Sequence, residues 1–167
     1  MPGDWSNTRE EGGRILGEAV HFLDLCNWFF ESEPVSLFAA FAGEETYVDP
    51  TLSVQIRYPD GSSASVLYAS SGDPKIGKEY FEAMGNGRCA KNDDFNKFQC
   101  FGASQAVRWK DRGDKGHALE LDEFAAAIQG RPFPIQGADA RAGLVATWMA
   151  LASYKSARAE IPIRPEI

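Results

Sequence analysis

The sequence is poor in the residues on which several classes of protein depend. Its 167 residues include only three cysteines and two histidines. Three cysteines without a CxxC pair cannot form a disulfide framework, so we expect Cys26, Cys89 and Cys100 to be reduced, buried thiols of a cytoplasmic protein. The two histidines, His21 and His117, lie far apart in sequence, so the chain shows no recognisable set of zinc ligands. We therefore predict no metal site.

Positive charge and long apolar runs are also scarce. The chain has 17 Lys and Arg against 24 Asp and Glu, for a formal net charge of −7. Scattered basic residues on an acidic chain do not suit a nucleic-acid groove. No apolar run approaches the roughly 20 residues that a membrane-spanning helix needs, and Met1-Pro2-Gly3-Asp4 does not resemble a signal peptide. We therefore expect neither a nucleic acid nor a membrane as a partner.

The residues that are present predict strands in the middle of the chain and helices at both ends. Apolar periodicity predicts helices over residues 16–30, 116–128 and 139–158. Alternation predicts strands over residues 35–41, 52–58, 64–70 and 78–84, with two more within 97–109. This order predicts an α+β fold, a mainly antiparallel open sheet of about six strands with helices packed on one face. We expect residues 1–13 to be an entry segment and residues 14–167 to form a single domain.

One glycine motif imitates a dinucleotide-binding fingerprint. Residues Gly85 to Ala90 fit G-x-G-x-x-A. That fingerprint requires a strand before it and a helix that begins within it, so that helix amides meet the pyrophosphate. Here strand-like runs stand on both sides of Asn86-Gly87, which is a strong hairpin signal. We therefore predict a turn and no cofactor-binding residue in this chain.

The most informative segment runs from Glu11 to Leu25, where a glycine pair precedes a helix. Residues three or four apart share a helix face, so Glu18, His21 and Asp24 form one row. Ionised carboxylates favour the imidazolium and hold the ring in one tautomer, as a general acid or base requires. The alternative is a structural histidine that bonds a neighbour and does no chemistry. The spacing alone leaves both interpretations open.

These residues resemble the start of the C-terminal domain of the glucose–fructose oxidoreductase, inositol dehydrogenase and MocA (Gfo/Idh/MocA) family. The family pattern is roughly GGG-x-x-x-D-x-G-x-H-x-x-D, and its matches here are Gly12-Gly13, His21 and Asp24. The similarity continues at Asp4-Trp5, at Asp93-Asp94-Phe95 and over residues 114–121. It is greatest to a subset with GGRI-x-GE-x-x-HF-x-D at this place, which is often fused to a zinc-type alcohol dehydrogenase module.

The resemblance implies a fold and a set of site residues. The fold is the dihydrodipicolinate-reductase-like C-terminal domain, in which the histidine matched by His21 contacts the substrate and serves as acid or base. The family aspartate four residues earlier falls on Gly17, so its role is absent here or has moved to Glu18. The remaining candidate substrate contacts are Arg14, Asp24 and His117.

The resemblance also implies a cofactor and partners. Family members bind NAD or NADP on an N-terminal Rossmann domain, which this sequence does not contain. We therefore expect a parent protein with its own Rossmann or zinc dehydrogenase module, a sugar-like or other small alcohol as substrate, and no turnover by this chain alone. The alternative is a non-catalytic binding or assembly module of the same fold.

Large apolar residues on the predicted strands bear on assembly. The family associates through its sheet, so an open sheet face here is a candidate homo-oligomer interface. The alternative is that these aromatic residues all face the helices. The residues concerned are Tyr58, Tyr68, Phe81, Phe98 and Phe101.

Overall fold

The protein is described here as a computed structural model. The described residues are 12–43, 51–70, 72–102, 108–110, 116–132 and 137–166. The chain divides into two compact units. The first unit comprises residues 1–71 and 138–167, and the second comprises residues 72–137. The predicted entry segment falls almost entirely outside the described residues, and the prediction of a single domain over 14–167 stays a prediction.

Three α-helices are present: α1 (Val20–Phe30), α2 (His117–Ile128) and α3 (Ala140–Ala159). A π-helical turn over Ile15–Ala19 leads directly into α1. The helix α1 ends at Glu31, which has a left-handed φ of 47°, and Pro34 follows shortly after. The helix α3 begins at Asp139, whose carboxylate accepts a hydrogen bond of 2.8 Å from the amide of Ala142. Both ends follow ordinary helix-capping chemistry.

The first unit contains an antiparallel sheet of three strands, β1 (Ser36–Phe41), β2 (Leu52–Arg57) and β3 (Ser63–Tyr68), in the order β1-β2-β3. The strand β2 alternates strictly between buried and exposed residues. Its buried side packs with α1 and α3 in the core, and its exposed side is polar because it carries Ser53, Gln55 and Arg57. This alternation is the one that the sequence predicts for a sheet covered on one face.

The core of the first unit includes polar groups that are hydrogen-bonded. The Tyr58 hydroxyl donates to the side-chain oxygen Oδ1 of Asn27 at 3.0 Å, and the side-chain nitrogen Nδ2 of Asn27 donates to the sulfur of Met149 at 3.1 Å. Burial raises the pKa of the nearby Cys26 thiol to about 11. These contacts connect α1, the end of β2 and α3 across the core. At neutral pH Cys26 is therefore a protonated, inert thiol.

The second unit contains α2 and an antiparallel sheet of four strands, β4 (Tyr80–Gly85), β5 (Arg88–Asp93), β6 (Lys97–Phe101) and β7 (Arg108–Lys110). Asn86 and Gly87 connect β4 to β5, and both have positive φ, at 49° and 72°. Two consecutive positive φ angles are typical of a tight hairpin turn. The predicted turn at the glycine motif is therefore confirmed.

The α+β class is confirmed, but the prediction of one sheet of about six strands is wrong for the described residues. They form two sheets of three and four strands, and no described ladder joins β3 to β4. The reason lies in residues 72–79, where Asp73 caps a short 3₁₀ turn over Pro74–Ile76 and Gly77 follows with a φ of 87°. Such a connection is not a two-residue hairpin that keeps strands adjacent.

The cysteines, the C-terminal tail and the helices add three further observations. Cys26, Cys89 and Cys100 are free, but Cys89 is exposed because it lies at an outward position of β5, so the prediction of three buried thiols is wrong there. The C-terminal tail makes one isolated bridge between Ile163 and Leu37. None of the helices in the described ranges is long and apolar enough to cross a membrane.

Candidate functional site

The candidate site lies on the helical segment that follows Gly12-Gly13. The segment begins as the π-helical turn Ile15–Ala19 and continues as α1. Ile15 and Leu23 are fully buried and hold one side of the segment against the core. A π-helical turn is uncommon and is found frequently at functional sites.

Three of the predicted site residues share the other side of this segment. His21 is exposed, and Glu18 and Asp24 are half-buried. Because a π-helical turn winds more widely than an α-helix, Glu18 is rotated from the ideal α-helical row that the spacing predicts. Asp24 follows His21 within α1, where three-residue spacing places side chains as neighbours.

Asp24 and His21 interact electrostatically. Burial raises the pKa of the Asp24 carboxyl above its usual value, and the charge of His21 acts in the opposite direction. A partly buried carboxylate beside an exposed imidazole can hold that ring in one orientation. This pair therefore has the chemistry of a proton acceptor supported by a carboxylate.

Arg14 is tied to the first sheet at the start of the segment. Its Nη1 lies 3.5 Å from the Tyr68 hydroxyl oxygen, at the outer limit of a hydrogen bond. Tyr68 is the last residue of β3 and is half-buried against the core. Tyr68 is not among the site residues predicted from the sequence, although the alternation of β3 predicts that Ala64, Val66 and Tyr68 share one face.

The remaining predicted site residue lies elsewhere in the chain. His117 is the exposed first residue of α2 and belongs to the second unit. The observed N-cap is Gly116, which has a left-handed φ of 75° and no capping side chain. The substrate contact assigned to His117 stays a prediction.

The glycine motif of the second unit does not have the geometry of a dinucleotide-binding turn. The G-x-G-x-x-A motif forms a β-hairpin, so no helix begins there to present its amides to a pyrophosphate. Within the described ranges, no three side chains among His, Cys, Asp and Glu are grouped to hold a metal ion.

A groove of about 460 Å³ lies between the π-helical turn and the end of α3. Arg158 is stacked over the ring of Tyr154, 5.4 Å from its centroid. None of the predicted site residues lines this groove. Its lining residues are Leu16, Leu151, Tyr154, Lys155, Arg158 and Ala159.

The sequence matches one protein-family model. Residues 1–86, which include the complete helical segment and the first sheet, match the GFO/IDH/MocA C-terminal domain. The chain belongs to this family. No curated protein matches the sequence.

Solved structures share the fold of this GFO/IDH/MocA C-terminal domain at low sequence identity. The aldose-aldose oxidoreductase from Caulobacter crescentus, solved with glycerol, is 18% identical over 99% of this chain and 52% of its own, with a TM-score of 0.79. The UDP-N-acetylglucosamine 3-dehydrogenase GnnA from Acidithiobacillus ferrooxidans is 21% identical over 84% of this chain and 45% of its own, with a TM-score of 0.68.

A third structure was solved with a nicotinamide cofactor. The WlbA dehydrogenase from Bordetella pertussis, in complex with NADH and UDP-GlcNAcA, is 22% identical over 93% of this chain and 46% of its own, with a TM-score of 0.60. This chain thus spans about half the length of each of these three proteins. The likeness concerns the fold, because all three identities are below 25%.

Proposed function

We propose that this chain is the substrate-binding and oligomerisation domain of an NAD(P)-dependent oxidoreductase that acts on a sugar-like or other small alcohol. The observation that carries the proposal is the exposed His21 beside the half-buried Asp24, on the helical segment that the family model matches. The neighbours named as sugar oxidoreductases support the substrate class.

In this proposal His21 is the proton acceptor. The substrate hydroxyl loses its proton to the His21 imidazole as the carbon that bears the hydroxyl is oxidised to a carbonyl. A nicotinamide held mainly by a module outside this chain would supply the acceptor for the hydride from that carbon. In the reverse reaction, the reduction of the carbonyl, the same imidazole returns the proton to the carbonyl oxygen. The exposed position of His21 gives a substrate access to this group.

The neighbouring polar residues orient the histidine and the substrate. Asp24 carries a carboxylate in electrostatic contact with His21, and Glu18 supplies a second carboxylate one turn earlier. Arg14, placed beside Tyr68, offers the guanidinium donors that suit hydroxyl, carboxylate or phosphate oxygens. His117 is proposed as a further substrate contact.

A non-catalytic binding or assembly module is the second candidate. One observation favours it: Gly17 stands where the resemblance places the family aspartate, and it has no side chain with which to act on a proton. Under this alternative His21 and Asp24 form a structural pair, and the fold serves only for association.

We also propose a surface for self-association on the second sheet. One face of this sheet carries the exposed Tyr80, Met84, Cys89 and Phe101, with Cys89 paired between Met84 and Phe101 in register. Two register pairs of opposite charge lie on the same face, Glu82 with Lys91 and Asp93 with Lys97. A two-fold interface brings the same surface of two copies together. An apolar row beside charges of both signs is self-complementary, so it can pack against the same row of a second copy.

The five aromatic residues predicted on the strands do not all support one alternative, an open apolar sheet face or a set that faces only the helices. Tyr58 is buried and Tyr68 packs against the core of the first unit, so these two face inward. Phe81 and Phe98 are half-buried, and Phe101 is exposed. Only Phe101 of this set therefore supports an open apolar face directly.

The partner module and the location of the protein are part of the same proposal. A parent chain with a Rossmann module, or with the zinc-type alcohol dehydrogenase module of the GGRI subset, would provide the nicotinamide site. Three free cysteines, of which Cys89 is exposed, support a reducing compartment such as the cytoplasm.

The experiment that tests the function begins with the natural polypeptide, identified in source cells with an antibody against this chain. That polypeptide is purified and assayed for NAD⁺ or NADP⁺ reduction with glucose, UDP-N-acetylglucosamine and myo-inositol. Turnover that requires a segment beyond these 167 residues supports the proposal. A native species of the same length as this chain, without turnover, would favour the assembly module.

A further inference from the structure

A large apolar side chain lies exposed on the helix face that presents His21. Trp28 follows His21 by seven residues in α1, so the two side chains point to the same side of the helix, about 10 Å apart along its axis. Trp28 is 69% exposed. Leu23 and Cys26 are buried in the core on the opposite side of α1. The indole therefore lies on the side of the helix that points away from the sheet.

The helix α3 continues this apolar surface. It has no charged residue over positions 142–154. Leu144 and Leu151, seven residues apart on one side of α3, are 52% and 53% exposed. Leu151 lines the same groove as Leu16 of the π-helical turn, so this side of α3 adjoins the helical segment that carries His21. A surface helix normally presents polar residues to solvent, and a helix that is apolar all round is generally buried.

The proposed reaction requires a second body against the same surface. A substrate hydroxyl that donates its proton to His21 lies within about 3 Å of the imidazole. The hydride acceptor must then lie about 3–3.5 Å from the carbon that bears this hydroxyl. A module that holds a nicotinamide in this place lies against the outward side of α1. About half of each of the three solved relatives lies outside the part that this chain covers, and one of them was solved with NADH.

We propose that the outward face of the helical layer, formed by Trp28, Leu144 and Leu151, is the surface on which the nicotinamide-binding module of the parent protein docks. The inference rests on the proposed function and adds to it the position of the module. Docking removes three large apolar side chains from water, which stabilises the contact. It also places His21 at the boundary between the two parts, where ligand sites are frequently found.

Cysteine reporters test this contact. Trp28→Cys and Leu151→Cys are made in the 167-residue chain and in the natural polypeptide that contains it. The rate of alkylation by N-ethylmaleimide is read at each position by peptide mass spectrometry, which separates the reporters from the exposed Cys89. Leu67→Cys is the matched control, because Leu67 is 73% exposed and lies on the first sheet instead of the helical layer.

The two proteins are expected to differ at the helical positions only. All three reporters should be alkylated rapidly in the 167-residue chain, because each replaces an exposed side chain. In the natural polypeptide, alkylation at positions 28 and 151 should be slower by about tenfold or more, because the reagent then requires opening of the contact. Position 67 should keep its rate. The two helical reporters lie on different helices, so either one alone decides the result if the other variant does not fold.

The outcomes separate this inference from the proposed function. Equal rates at positions 28 and 151 in the two proteins, in a preparation that reduces NAD⁺ or NADP⁺, would overturn the inference alone. Slow alkylation of both positions in the 167-residue chain would also overturn it, because a second copy would then cover the face. A natural polypeptide no longer than this chain would overturn the inference together with the proposed function. Protection in a longer polypeptide that binds NADH but oxidises none of the three test substrates would support the docking surface and count against the substrate class alone.

Discussion

Ser156 connects three segments of the first unit through one buried hydroxyl. The hydroxyl oxygen accepts a hydrogen bond of 2.9 Å from the amide of Ala39 in β1, and the same hydroxyl donates to the carbonyl of Ile161 at 2.6 Å. Ser156 has no exposed surface. A buried amide that loses its acceptor pays its full desolvation cost. This side chain therefore stabilises the contact between α3, β1 and the C-terminal tail.

Substitution of Ser156 by alanine tests this contact. We expect a loss of about 1–3 kcal/mol in the free energy of unfolding, because the Ala39 amide is left without an acceptor. Urea unfolding measures the loss. Ser153→Ala is the control, since Ser153 is equally buried and its hydroxyl donates to the Met149 carbonyl of its own helix. Equal losses in the two variants would show that the hydroxyl of Ser156 has no special role.

The sequence was sufficient to propose which residues form the candidate site, but it predicted their arrangement only in part. The spacing of His21 and Asp24 was sufficient to place them together on one helix face. The π-helical turn was not predictable, because the residues within it carry no distinctive pattern. Tyr68 was missed since its proximity to Arg14 depends on tertiary structure, over 54 residues of sequence.

At the scale of elements, a bidentate ion pair joins the loop after α1 to the start of α3. Arg141 donates from Nε and Nη2 to the two carboxylate oxygens of Glu33, each at 2.7 Å. Hydrogen bonds from Arg141 lower the pKa of Glu33 below its usual value. The paired geometry is favourable, but both side chains are about half exposed and solvent screens the pair.

The effect of Glu33→Gln should depend on pH. The pKa of Glu33 is lowered in the folded state, so the ion pair stabilises the protein at pH values above 4.5, the ordinary pKa of the group. This stability is lost as the pH falls through the lower pKa of the folded state. We expect a small destabilisation at pH 7 that disappears in acid and shrinks in high salt. Thermal unfolding across pH measures it, with Glu31→Gln as the control for net charge. A difference in thermal stability between the wild type and Glu33→Gln that persists unchanged in acid would contradict a stabilising ion pair between Glu33 and Arg141.

Most elements could be predicted from the sequence because their signals are local. The first helix, the hairpin of β2 and β3 and the Asn86-Gly87 turn follow from periodicity and turn residues. The separation into two sheets could not be predicted, because it depends on how residues 72–79 direct the chain after β3. Alternation defines the faces of a strand but not which strand becomes its neighbour.

At the scale of the whole molecule, the two units differ in how much they bury. The buried residues of the described chain lie almost entirely in the first unit, and the second unit contributes only Ala126. Among the described residues of the second unit, large apolar side chains are exposed both on the sheet and along α2. An extensive apolar surface of this kind generally marks an interaction site. The sequence composition alone did not reveal this asymmetry, because apolar residues are frequent in both units.

Self-association through the second sheet can be tested at Met84. Met84→Glu places a charge in the apolar row and should shift the chain toward monomer in sedimentation velocity. Leu67→Glu is a matched control, because Met84 and Leu67 are both 73% exposed at strand positions and Leu67 lies on the first sheet. An equal shift by both variants, or none by Met84→Glu, would show that this row is not the interface.

The most direct test of the account is the turnover of His21→Asn in the natural polypeptide that contains this chain. Asparagine keeps the polarity and approximate size of histidine and cannot accept the substrate proton. The account predicts a loss of kcat of about 10²-fold or more, with nicotinamide binding and thermal unfolding unchanged. Turnover equal to that of the wild type would contradict an acid–base role for His21 and leave the chain as a binding or assembly module.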